Sequence, residues 1–155
     1  TEPGKEEETV VRMARVGFDN VEGYLEGGMD AWINAGQKLD MVISIDADEL
    51  AMDMPFDQHL VVIDVRKPSE YEHAHIKGAL NIPLEEMTDP ASLADLEDHY
   101  NLYVHCQSGY RSMVACSILK REGIHNLRNI TGGFKALRET PGIPIVNTGS
   151  MVEDA

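Results

Sequence analysis

The chain has 155 residues, room for one core of ordinary size plus an appendage, and its 43% hydrophobic and 26% charged residues exclude a disordered or fibrous class. Acidic residues outnumber basic ones by 27 to 13, so a formal net charge of −14 repels nucleic acid and anionic membranes, and neither is expected as a partner. Two cysteines make no disulfide framework, no apolar run approaches the roughly 18 residues of a membrane span, and TEPGKEEE lacks a signal peptide's apolar stretch; the expectation is a cytoplasmic protein with reduced thiols.

In chain order, the acidic run Glu6 to Glu8 reads as the solvated start of a helix. The stretch RVGFDNVEGYLEGGMDAW at 15–32 then echoes REGIHNLRNITGGFKAL at 121–137 with one residue inserted. Both copies run basic, x, Gly, apolar, x, Asn, apolar, and then reach a Gly-Gly pair. The downstream copy reads as a helix end, a strand and the start of the next helix, so residues 1–40 are expected to be the C-terminal remnant of a preceding module. The start at Thr1 rather than Met carries the expectation of a fragment. Met29, Trp32 and Ile33 form a helical stripe whose core lies elsewhere; residues 1–40 are therefore expected to self-associate or to pack on the main domain.

Beyond position 40, short apolar runs alternate with helix-like stretches, the pattern of an α/β fold with a largely parallel sheet. Five strands are predicted, at Val42 to Ile45, Leu60 to Val65, Ala79 to Ile82, Leu102 to His105 and Leu127 to Ile130. Asp46 or Asp48 can cap a helix running through Met52, and Pro68 and Pro90 suit first helical turns. Gly123 ends a helix over Arg111 to Glu122, where Lys120 and Arg121 suit the C-terminus electrostatically.

The strongest chemical signal is YVHCQSGYRSMVACSILKREG, an apolar strand running into Cys106, a polar glycine-containing loop and a helix. At such a turn the backbone N–H groups converge into a nest and the helix N-terminus adds positive potential, both favouring thiolate. Arg111 can supply a fixed charge and paired donors to an anionic substrate, and would also depress the cysteine pKa. Gly109 lets the loop turn tightly, and Ser108 and Tyr110 offer hydroxyl donors.

These residues resemble the rhodanese family of sulfurtransferases, whose loop typically reads Cys-Arg-x-Gly-x-Arg and here reads CQSGYR. The resemblance runs from about Met41 to Val146, taking in VIDVRKPSEYEHAHIKGALNIP at 62–83 and the ending NITGGFKAL. It implies a three-layer α/β/α domain over 41–146 with a central five-stranded parallel sheet, followed by an acidic tail at 147–155. It implies a Cys106 persulfide, with Gln107, Ser108, Gly109, Tyr110 and Arg111 as the substrate site. A small sulfur donor, thiosulfate or a persulfide, would be discharged to a thiol or cyanide, with no metal and no cofactor. Gln107 stands where an arginine is common, so a low-molecular-weight or protein persulfide is as good a candidate donor as thiosulfate. Asp64, Arg66, Glu70 and His75 match the family's scaffold around the loop: Asp64 is expected to accept loop N–H bonds and Arg66 to pair with a carboxylate such as Glu70.

Aligning EPGKEEE with the loop places the upstream copy's nucleophile position at or just before Thr1, where no cysteine stands, so a tandem pair with a silent first copy is implied. Such pairs can follow a metallo-β-lactamase-type domain. Cysteine phosphatases, with five residues between Cys and Arg, are the weaker enzymatic reading, because four intervene here and Ser112 takes the phosphatase arginine's position. The rival from another class is a non-catalytic interaction or regulatory module. The histidines offer no closed zinc set; His73 is expected at the surface, His105 buried beside the strand, and Cys116 as simple packing.

Overall fold

The computed structural model describes residues 1–15, 19–96 and 99–148, which divide into two compact units, Thr1–Met41 and the chain from Val42 onward. No helix among them is long and apolar enough to cross a membrane.

The first unit holds α1 (Glu6–Arg15) and α2 (Gly28–Asn34). The sequence echo extends to backbone geometry: α2 starts on Gly27 and Gly28 at φ of 80° and 56°, as its downstream counterpart starts on Gly132 and Gly133 at 74° and 57°. A Cβ on Gly28 would lie 3.9 Å from the Thr1 carbonyl oxygen, much as Gly133 backs onto the carbonyl of Cys106. Residues 19–27 form no strand, unlike their downstream counterparts. None of the described residues of this unit is buried, and Met29, Trp32 and Ile33 are 63%, 40% and 49% exposed, so the apolar stripe faces outward.

The second unit begins with β1 (Ile43–Ile45), α3 (Ala47–Asp53), β2 (Leu60–Asp64) and α4 (Pro68–His73). It continues through β3 (Ala74–Ile76), β4 (Leu80–Asn81), a 3-10 turn (Leu84–Glu86), α5 (Pro90–Leu93) and β5 (Asn101–His105). It closes with α6 (Tyr110–Arg121), β6 (Leu127–Ile130), α7 (Gly133–Leu137) and β7 (Ile145–Asn147). Asp46 caps α3, with the Glu49 carboxylate accepting its N–H at 3.3 Å, and Pro68 and Pro90 open their helices as expected.

Strands β1, β6, β5, β2 and β4, in that spatial order, form one five-stranded sheet, every pair parallel. Alternation within the strands sends side chains to opposite faces. Val62, Tyr103 and Ile130 pack with Leu50 of α3 and Phe134 and Leu137 of α7, while Ile63, Leu102, Val104 and Leu127 pack with Ala115, Cys116 and Leu119 of α6. The sheet thus lies between two helical layers, a three-layer α/β/α arrangement. All five predicted strands belong to it.

Strands β3 and β7, absent from the sequence prediction, form a separate antiparallel pair. Each is three residues long and stabilised by its partner rather than by its own pattern. Pairing continues through Asn147, and the Thr148 N–H donates to the His73 carbonyl at 3.1 Å, two residues into the stretch expected as tail.

The chain leaves β2 for β4 on one side and β5 lies on the other, so the carboxyl ends of β2 and β5 flank a topological switch point, where open α/β sheets bind ligands. Gly133 is what lets α7 close on this point. A Cβ there would overlap the Cys106 carbonyl oxygen and lie 2.7 Å from both the Gln107 carbonyl carbon and the Ser108 nitrogen. Gly133→Ala is therefore expected to lower the unfolding free energy by about 3 kcal/mol or more. Gly123→Ala, also at positive φ but with nothing within 4 Å, should cost about 1 kcal/mol. Urea unfolding of the two variants checks this; equal losses would show that the overlap relaxes freely.

Candidate active site

Strand β5 ends on His105 and delivers Cys106, 1% exposed, to a loop that enters α6 through Gly109 at φ of 110°. The loop carbonyls point away from the sulfur: Cys106 O accepts the Phe134 N–H at 2.7 Å and Gln107 O accepts the Lys135 N–H at 3.2 Å. The Gln107 and Ser108 N–H groups, on the other side of the same peptide units, are thereby turned inward, and the Gly109 N–H donates to Cys106 Sγ at 3.1 Å. Ser112 Oγ, fully buried, lies 3.5 Å from Sγ and 3.1 Å from the Gly109 carbonyl, with one proton to share between them.

Burial by itself would raise the Cys106 pKa, but hydrogen bonds from the Ser112 hydroxyl and N–H and from the Ser108 and Gly109 N–H groups outweigh it and hold the thiol below its ordinary value. Cys116, in apolar surroundings on α6, is pushed by burial up to about 12 and is inert packing. Ser112 was not singled out for the site from the sequence; its signal is its place in the first turn of α6, on the side that faces the nucleophile.

A buried polar layer supports the loop. Arg66 donates through Nε and Nη2 to the Asp64 carboxylate at 3.0 and 2.6 Å and through Nη2 to the Ala74 carbonyl at 2.7 Å. Its guanidinium carbon lies 3.9 Å from the Phe134 ring centroid, and Nη1 reaches Gln107 Oε1 at 3.4 Å. Asp64 also accepts the Arg66 N–H at 3.0 Å, and Asn81 Nδ2 donates to the carbonyls of both residues at 2.9 Å. His105, in register with Asp64, is buried as expected. Its Nδ1 is 3.2 Å from the Cys106 carbonyl and its Nε2 3.7 Å from Asp64 Oδ2; burial holds its pKa below the usual imidazole value, so the ring is neutral.

Arg66 pairs with a carboxylate, as expected, but the partner is Asp64 rather than Glu70. Arg66 starts from the end of β2 and curls beneath the loop onto Asp64, whereas Glu70 meets Arg111 in a bidentate pair at 2.7 and 3.0 Å. Arg111 is therefore not an open cation beside the sulfur, and the donors that depress the Cys106 pKa are hydroxyl and backbone groups. The Asp64 carboxylate accepts one backbone N–H, that of Arg66 in the loop that follows β2. The Tyr110 side chain is 88% exposed and points away from the nest. His75 stacks on Tyr71 at 3.9 Å and its Nδ1 lies 2.8 Å from the Tyr71 carbonyl, a packing role.

Beside the loop opens a cavity of about 210 Å³. Arg66, Glu70, His73, Gln107, Arg138 and Asn147 are among the residues that line it. Sequence reasoning placed His73 at the surface, where it is, and did not reach Arg138, whose place at the site depends on how α7 folds back. Among the described residues no group of three or more His, Cys, Asp or Glu side chains is arranged to hold a metal.

The chain belongs to the rhodanese-like domain family, whose model matches residues 46–140. It is 29% identical over 106 residues to a sulfurtransferase of Allochromatium vinosum, covering 68% of this chain and 96% of that protein. It is 37% identical over 73 residues to a thiosulfate sulfurtransferase of Escherichia coli, covering 47% of this chain and 69% of that one. The solution structure of a rhodanese-like domain from Anabaena superposes with a TM-score of 0.63 at 26% identity, over 74% of this chain and 87% of that domain. The chain spans about half the length of two curated Bacillus subtilis relatives, 48% of one and 57% of the other.

If hydrogen bonds hold Cys106 as thiolate, Ser112→Ala removes one of them and raises its pKa. The rate of iodoacetamide alkylation, which follows the thiolate, should then inflect at higher pH than in the native chain. An unchanged inflection would remove Ser112 from the site.

Proposed function

We propose that this chain is a sulfurtransferase that carries sulfane sulfur on Cys106. The observation behind this reading is the convergence of the Gly109 N–H and the Ser112 hydroxyl on Cys106 Sγ at 3.1 and 3.5 Å, inside a loop with only four residues between Cys106 and Arg111. A nest that small suits a single sulfur atom better than a tetrahedral phosphate.

In the first step the Cys106 thiolate attacks the outer sulfur of a donor R–S–S⁻. The Sγ–S bond forms, the donor's S–S bond breaks, and R–S⁻ leaves with the electron pair. Thiosulfate would release sulfite in the same way. The inward N–H groups then hold the Cys106–S–S⁻ anion. In the second step an acceptor thiolate or cyanide attacks the outer sulfur and Sγ departs as thiolate, restoring the starting state. The loop residues Gln107 to Arg111 shape the nest, and Glu70 fixes Arg111 at its rim. A reducing, cytoplasmic compartment suits a nucleophile of this kind.

We also propose that residues 1–40 are the counterpart of the segment from the loop to α7 in a second, catalytically silent module. The double-glycine corner and the approach of Gly28 to the Thr1 carbonyl support this, with Thr1 at the position of Cys106.

Intact mass under non-reducing conditions tests the catalytic reading. Incubation with thiosulfate, or with glutathione persulfide, should add about one sulfur mass to the native chain and none to Cys106→Ser, and cyanide or a thiol should discharge it. A native chain that neither donor loads is a non-catalytic module.

A further inference from the structure

The site contains three guanidinium groups, and two already have carboxylate partners. Arg66 is bound to Asp64 at 2.6 Å and roofed by Phe134, and Arg111 is chelated by Glu70 at 2.7 and 3.0 Å. Arg138 differs: its backbone N–H continues α7 by bonding to the Phe134 carbonyl, but its side chain makes no ion pair or hydrogen bond to any described residue. It is exposed and lines the cavity of about 210 Å³ whose lining also includes Gln107, the residue next to Cys106. Phe134 and Arg138 are one helical turn apart on α7, so the turn that clamps the Cys106 carbonyl also places this cation. His73 and Asn147, exposed and in the same lining, add hydrogen-bonding groups. The one carboxylate on the wall, Glu70, is neutralised by Arg111.

This distribution of charge separates two kinds of donor. Thiosulfate carries its negative oxygens on the atom bonded to the transferred sulfur, so a cation that recognises it must lie at the nest, where Gln107 is neutral and Arg111 is paired. A donor whose anionic group sits on an arm several bonds from the sulfane sulfur can place that group in the cavity while the sulfur reaches Cys106.

We infer that Arg138 is a specificity-determining residue: it binds the carboxylate on the arm of an alkyl persulfide whose outer sulfur is delivered to Cys106. The inference rests on the sulfurtransferase reading and names its substrate class. The transfer is the one written above, with the carboxylate-bearing R–S⁻ as the leaving thiolate. Arg138 stays outside the bonds that form and break, so it acts on binding rather than on the chemical step.

The test compares persulfide formation on the full chain from glutathione persulfide, which carries carboxylates, and from 2-hydroxyethyl persulfide, whose arm is uncharged. In the native chain kcat/KM should favour glutathione persulfide. Arg138→Gln should cut that preference about tenfold, through KM rather than kcat, and Arg138→Lys should restore part of it, the behaviour of one charge-assisted contact to substrate. A preference unchanged in Arg138→Gln, or a loss that appears in kcat for both donors alike, overturns the inference while leaving the sulfurtransferase reading intact. A native chain that neither persulfide loads overturns both.

Discussion

The carbonyls of Cys106 and Gln107 are held by the first N–H groups of α7, at 2.7 and 3.2 Å, and that grip governs the orientation of the whole loop. A peptide unit cannot turn its carbonyl outward without turning its N–H inward, so α7, by holding the carbonyls of Cys106 and Gln107, turns the Gln107 and Ser108 amides inward, and the chain then carries the Gly109 N–H to the sulfur. The grip in turn needs Gly133, since any side chain there would occupy the space of the Cys106 carbonyl. The orientation of the loop thus depends on a residue 27 positions downstream (133 − 106), on another helix.

Beneath the loop, a buried ion pair acts as scaffold rather than chemistry. Asp64 and Arg66 are 0% and 3% exposed, and charges at such depth are tolerated only when their hydrogen-bonding capacity is nearly filled. Here the carboxylate takes three guanidinium contacts and a backbone N–H, while the guanidinium adds the Ala74 carbonyl and the Phe134 face. This ties β2, β3, α7 and the Cys106 loop to one point. The price is that Arg66, like Arg111, has little charge left for a substrate, which leaves Arg138 as the cation of the cavity without a partner among the described residues.

The strand register links this layer to the sheet. Asp64 and His105 are partners at the carboxyl ends of β2 and β5, so the alternation that buries Ile63 and Val104 on one face brings the carboxylate and the imidazole together on the other. The first unit shows the converse. It repeats the helix and double-glycine corner of the second, but its described residues include no strand and none of them is buried.

Much was legible in the residues alone. The five sheet strands, the helix caps at Asp46, Pro68 and Pro90, and the family were carried by local signals: short apolar runs, cap chemistry, and a cysteine loop whose neighbours in sequence are its neighbours in space. The antiparallel pair β3–β7 was not legible, because three-residue strands 69 positions apart (145 − 76) exist only through each other. Nor were the pairing partners within the site. Glu70 could reach either Arg66 or Arg111 as far as the sequence was concerned; the curl of Arg66 under the loop and the placing of α4 beside α6 assigned it to Arg111. The same holds for Ser112, Gly133 and Arg138, whose roles arise where separate elements meet. Local pattern determines which elements form and where the nucleophile sits, because those interactions run along the chain. Tertiary structure decides which charges are neutralised and which remain open, because that depends on distances between residues the chain itself does not bring together.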